Sequence, residues 1–329
     1  MMRLAAITVA LVLTAGSSTP LAYLKLGGMV NGQVVDATWH QQPIGYFISD
    51  RDGSGVTAND LRGAVERATA TWSSVANVRF AYQGLTTAPA EGTDGRNTIG
   101  FLDRPDLDRV LGATSFMVDT TTGSIYEADI FFNTSFVFSV SAQGEPGRVD
   151  LESVALHELG HLLGLGHSAI GETERTGNGG RRVLGTGSVM FPIALTPGAI
   201  ADRVLQPDDF AGISDLYPDG DFSTDGSLSG RVTKDGQPLF GAHVVAFNPA
   251  TGAMVASFTL NAQGQFSIGG LSPGAHAVRV EPLDDAEVDS FFDGSRVVDT
   301  DFRVTFFDRV VVVPKGGDSG EIAVTVVRK

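Results

Sequence analysis

Residues 157–167 read His-Glu-Leu-Gly-His-Leu-Leu-Gly-Leu-Gly-His. His157 and His161 are four apart, so on a helix both imidazoles leave one face and can share a metal ion. Glu158 follows the first of them and falls beside the metal, where a carboxylate can hold and deprotonate a water molecule. Gly164 can take a positive φ that other residues resist, so the helix can stop there and the chain can return His167 as a third ligand. Three protein nitrogens leave a fourth position open, the arrangement of a catalytic zinc rather than a structural one. The competing reading is a histidine-rich buried helix without metal. It would have to bury three imidazoles and a carboxylate unpaired, which is costly.

Other elements must carry this stretch. Asp150 stands where an N-cap is needed, and Leu151, Val154, Ala155, Leu159 and Leu162 supply the apolar side of the helix. Upstream, residues 34–48 alternate around Trp39, Ile44, Tyr46 and Ile48 and predict one opening strand. Asp50–Gly55 reads as a turn, with a calcium loop as the alternative. Thr57 or Asp60 can cap a helix whose Leu61, Ala64, Val65, Ala68 and Trp72 share a face. Strands are expected at 78–82, 97–101, 111–116 and 124–133. On the last of these, Glu127 and Asp129 alternate onto one face, read as the solvent face. Residues 171–187 are polar and Gly-rich without periodicity, so a mobile surface loop at the rim of the cleft is expected. Gln206-Pro207-Asp208-Asp209 opens a last helix with Phe210, Ile213 and Leu216 on one side, ending by Tyr217-Pro218. Asp208 and Asp209 could cap that helix, bind the backbone around Met190 or hold a processed N-terminal ammonium.

With 329 residues the chain is long enough for two cores. Its net charge of −15 argues against nucleic acid. Residues 23–225 carry 13 Lys+Arg against 26 Asp+Glu, and residues 226–329 carry 9 against 12. The acidity therefore belongs to the half with the histidine motif, where it serves solubility or, on a sharper reading, calcium binding. There is no cysteine, so neither disulfides nor a cysteine-blocked metal is available. Arg3, the apolar run Leu4–Leu13 and the small residues after it read as a secretory signal over 1–22, too short for a bilayer span. The expected organisation is a signal at 1–22, a catalytic domain at 23–218, a linker at 219–226 and a second domain at 227–329. Short apolar runs from 227 onward, punctuated by Gly, Pro and Asn, predict an all-β sandwich. His243 and His276 are isolated there and read as pleat-facing side chains.

The extended histidine motif, followed by Met190 in Ser188-Val189-Met190-Phe191-Pro192, resembles the metzincin zinc proteases. Ser168 after the third histidine, Pro at 192 in place of the zinc-binding Tyr of astacins and serralysins, and Leu205-Gln206-Pro207-Asp208-Asp209 resemble the matrixin branch in its bacterial-type form. The resemblance covers roughly residues 38–218. It implies an α+β domain with a twisted, mostly parallel sheet, the zinc helix and a C-terminal helix. It implies a zinc endopeptidase with His157, His161 and His167 on one Zn²⁺, Glu158 as general base and protein or peptide substrates. By the same resemblance Met190 floors the imidazoles, and Phe191, Pro192, Ile193 and Leu195 wall the pocket for the residue after the scissile bond. The strand at Gly112 and Ala113 would then pair with an extended substrate. A second histidine-built zinc site is not expected, because His40 is the only other histidine upstream in this domain. Residues 229–274 resemble the transthyretin-like, carboxypeptidase-regulatory sandwich. The second functional reading follows from that module: a secreted adhesion protein whose sandwich binds a surface protein or glycan and whose zinc is structural. The intact Glu158 favours the enzyme, since a structural site does not need it.

Overall fold

The computed structural model describes residues 24–30, 33–177, 180–218, 224–292, 294 and 296–329. The expected signal at 1–22 lies outside them, as does most of the expected linker. An N-terminal hairpin joins β1 (Gly27–Val30) to β2 (Gln33–Asp36), and β3 (Ile44–Ser49) begins only after Pro43. The single opening strand expected over 34–48 is therefore broken in two. Pro43 has no N–H to give a ladder, and β2 pairs back on β1 instead.

Helix α1 (Ala58–Ser73) starts at Thr57, whose side chain accepts from Asp60 N while Asp60 reaches back to the Thr57 N–H. Leu61, Ala64, Val65, Ala68 and Trp72 are all buried, so the 3.6-residue period does face the core. Strands β4 (Phe80–Thr86), β5 (Thr98–Leu102), β6 (Gly112–Val118) and β7 (Ile125–Asn133) complete a sheet of order β4-β3-β5-β7-β6. All its neighbours are parallel except β6 on β7, and β6 forms one edge. The short pair β8 (Phe138–Ser139) and β9 (Val149–Asp150) leads into helix α2 (Leu151–Leu162). Helices α1 and α2 meet where the Trp72 indole N–H donates to the Leu156 carbonyl at 2.9 Å.

Two expectations are corrected. Glu127 and Asp129 do share a face, but both are 4% exposed. The loop before β5 and the first residue of β5 cover them: Asp94 N donates to Glu127 Oε1 and Thr98 N to Asp129 Oδ1, each at 2.8 Å. Residues 171–187 are not an irregular loop either. They form an antiparallel hairpin, β10 (Gly171–Arg175) with β11 (Arg181–Thr186). Helix α3 (Pro207–Leu216) buries Ile213 and Leu216, whereas Phe210 is 40% exposed because the helix turns Ala211 toward the second core instead.

The second domain begins at Gly226. Strands β12 (Gly226–Lys234), β13 (Gln237–Pro238), β14 (His243–Phe247), β15 (Met254–Phe258), β16 (Gln265–Leu271), β17 (Gly274–Glu281), β18 (Thr305–Phe306), β19 (Val311–Val313) and β20 (Asp318–Val326) build two sheets. One runs β13-β12-β16 with β20 parallel to β12; the other runs β15-β14-β17, with β18 and β19 on β17. Between them lie Leu228, Val232, Val244, Phe266, Val278 and Phe302, all completely or almost completely buried. The two domains touch: the buried Asp208 carboxylate of α3 accepts Ala256 N of β15 at 2.8 Å.

Candidate metal centre

Asp150 caps α2, accepting from Ser153 N at 2.9 Å, and Arg203 pairs with the same carboxylate. That cap fixes the start of the helix and so the direction in which His157 and His161, in its second and third turns, face. His157 and His161 leave one side of the helix with ring centroids 4.6 Å apart. After Leu163, Gly164 takes φ +99° and the chain turns. The turn returns His167, and the three histidines present ligand atoms within 4.8 Å of one another.

The tautomers follow from the partners. His157 Nδ1 lies 2.7 Å from the Val189 carbonyl, His161 Nδ1 2.8 Å from that of Leu165, and His167 Nδ1 2.6 Å from that of Ser290. A carbonyl only accepts, so each Nδ1 carries the proton and each Nε2 presents a lone pair. Burial holds all three rings neutral, with His157 pushed down to about 3 and His167 to about 4, and His161 lowered as well. His157 Nε2 and His161 Nε2 stand only 2.9 Å apart, and the buried His167 Nε2 has no hydrogen-bond partner. Facing lone pairs at that distance repel, and a divalent cation among them removes the repulsion. The donor set, three neutral imidazoles with backbone-anchored Nδ1 atoms, suits zinc. Among the described residues this is the one group arranged to hold a metal.

Glu158 is fully buried. Its Oε2 accepts from Thr114 Oγ1 of β6 at 2.7 Å, while Oε1 has no partner. Burial pushes its carboxyl up to about 8, opposed by the Thr114 bond. Gly112 lies beside it: a Cβ there would come 3.3 Å from Glu158 Oε1. Ala113 follows, paired with Phe131 across the ladder.

Met190 sits under the helix. A Cβ on Gly160, the residue before His161, would meet Met190 Sδ at 2.3 Å, so any side chain there would push the sulfur aside. The turn around Met190 is held by Asp209, which accepts from Ser188 Oγ (2.6 Å), Val189 N (2.9 Å), Met190 N (3.3 Å) and Gln206 N (2.8 Å). Asp209 thus serves both the turn and the start of α3. Through Val189, whose carbonyl orients His157, it steadies a candidate ligand.

Of the expected pocket wall, Phe191, Pro192 and Ile193 are buried and Leu195 is partly buried. Phe191 and Ile193 fall in one apolar cluster with Leu283, Ala286, Phe291 and Phe292 of the sandwich domain. The wall is therefore already in contact with the second domain, which the sequence did not foretell. His40 is exposed, and His243 and His276 lie in the sandwich, where His243 Nδ1 is 2.8 Å from Glu281 Oε1.

Residues 38–174 match the matrixin family, and residues 227–290 match the carboxypeptidase regulatory-like domain. The first match takes in all three histidines and stops before Met190. The chain is similar to Metalloendoproteinase 2-MMP of Arabidopsis thaliana, 31% identical over 176 residues that cover 50% of this chain and 39% of that protein. It is similar to Metalloendoproteinase 1-MMP of the same plant, 30% identical over 187 residues covering 54% and 44%. With Metalloendoproteinase 5-MMP it shares 44% identity over 78 residues, 22% of this chain and 16% of that one. The chain spans less than half the length of these relatives.

Proposed function

Because the chain carries a matrixin domain followed by a carboxypeptidase regulatory-like domain, we propose that it is a zinc-dependent endopeptidase. The observation that carries this reading is the convergence of three buried Nε2 lone pairs beside the buried Glu158. A zinc ion held by His157, His161 and His167 supplies Lewis acidity toward a peptide carbonyl and acidifies water. Glu158 takes the proton from the attacking water and passes it to the leaving amine. Thr114 keeps that carboxylate oriented throughout. The neutral imidazoles hold no proton at Nε2 and so take no part in the transfer. The unpaired edge of β6 accepts an extended substrate as an added strand, which lays the scissile bond along Gly112 and Ala113.

The n-region Arg3 and the apolar Leu4–Leu13 support a secreted protein, and sequencing the N-terminus of the protein recovered from medium tests that. The described residues contain no helix long and apolar enough to cross a membrane. The enzymatic reading is tested by cleavage of a quenched peptide library. Activity should vanish on chelation and return with zinc but not with calcium alone; activity indifferent to chelation overturns it.

A further inference from the structure

Two of the three imidazoles are oriented from within their own domain. The third is not. His167 Nδ1–H donates to the main-chain carbonyl of Ser290, 2.6 Å away and 123 residues downstream. The fully buried Phe291 stands edge-on to the His167 ring, with centroids 6.0 Å apart. We infer that the sandwich domain completes the metal centre: the Ser290 carbonyl is the positioning group that sets the tautomer and angle of His167. Metal retention then depends on the second domain staying docked. The inference rests on the zinc-site reading above, though not on what that site cleaves.

The segment bearing Ser290 is held on both sides. Ahead of it, the buried Arg181 of β11 donates from Nη1 to the Asp284 carbonyl (2.6 Å) and to Thr173 Oγ1 (2.9 Å). Its Nη2 reaches the Ala286 carbonyl at 3.3 Å, and its Nε reaches Glu287 at 3.3 Å. Thr173 N and Oγ1 donate to the Asp285 carboxylate (2.8 Å) and carbonyl (2.6 Å). A 3-10 turn over Val288–Ser290 follows directly. Behind it, the Phe291 and Phe292 rings pack on Phe258 at 5.6 and 5.5 Å. A carbonyl fixed this way is a preorganised acceptor. An imidazole with a bonded Nδ1–H has a more basic and better aimed Nε2, and losing such a partner typically costs about 10–100-fold in metal affinity. The hairpin over 171–186 thereby gains a role: it clamps the segment that orients the third ligand.

The test uses the full chain loaded with cobalt(II) in place of zinc, whose metal-bound imidazoles give far-shifted, exchangeable Nδ1–H proton signals. Three slowly exchanging signals are expected. In Arg181→Ala, and in the milder Phe291→Leu, one of the three should broaden or disappear into solvent exchange while two persist. Zinc affinity by chelator competition should fall about 10-fold in both. Only two slow signals in the wild type would overturn the inference. So would variants that lose thermal stability yet keep three signals and unchanged zinc affinity, since that is what a merely structural segment predicts. A wild type with three signals that cleaves no peptide leaves the inference standing and removes the peptidase reading.

Discussion

The Thr114 hydroxyl donates to Glu158 Oε2 at 2.7 Å, from the edge strand of the sheet to the helix that bears His157 and His161. Among the described residues it is the one side-chain bond that the buried carboxylate has, since Oε1 is without a partner there. Thr114→Val keeps the shape and removes the donor. A hydrogen bond to a charged group contributes about 1.5–3 kcal/mol, so kcat/KM on a quenched peptide should fall at least about 10-fold at equal zinc content. Thr114→Ser should stay within about twofold of wild type. A Val variant as active as wild type would mean that Glu158 needs no such support.

Gly164 takes φ +99°, and a Cβ there would lie 2.0 Å from the Ala37 carbonyl oxygen. The same residue accepts Leu26 N at 2.8 Å, so the turn cannot shift without losing the N-terminal segment. Gly164→Ala should therefore cost about 3 kcal/mol, seen as a melting point lower by about 10 °C, and should weaken zinc binding through a displaced His167. A drop of under about 2 °C would contradict this account of the turn.

Asp129 gives a pH dependence with a definite sign. Burial pushes its carboxyl up to about 7, and Glu127 and Asp94 add to the rise. The folded chain thus binds this proton more tightly than the unfolded chain, and that contribution is greatest below the ordinary carboxylate range. It is lost as the pH rises through about 7. Asp129→Asn should stabilise the protein by about 2 kcal/mol at pH 8, with the gain vanishing near pH 4, in urea melts at the two pH values. A loss of stability at pH 8 would mean that the charged form is the favoured one, as a calcium ion between Glu127 and Asp129 would require.

What the sequence made legible was local. An i, i+4 pair of histidines, a following carboxylate and a glycine that ends the helix are all fixed by helical geometry, and Asp150 and Thr57 are caps by side-chain chemistry. The sandwich strands were legible as short apolar runs separated by Gly, Pro and Asn turns. What could not be read was set at a distance. The group that orients His167 is a main-chain carbonyl, which leaves no signature in residue type. The hairpin at 171–186 looked irregular because most of its side chains face water, so no apolar period marks it. Glu127 and Asp129 alternate as expected, yet their face is covered by a loop whose path no pattern reveals. Gly160 owes its place to the approach of Met190, and that contact is 30 residues away in sequence and so leaves no local pattern.

The proposed function requires Glu158 to move the proton at a zinc held by three imidazoles. The most direct measurement compares zinc content and peptide-bond cleavage for the full chain and its Glu158→Ala variant under identical conditions. Both should hold one zinc per chain, and cleavage by the variant should be slower by about a thousandfold. Equal rates at equal zinc content would contradict the account.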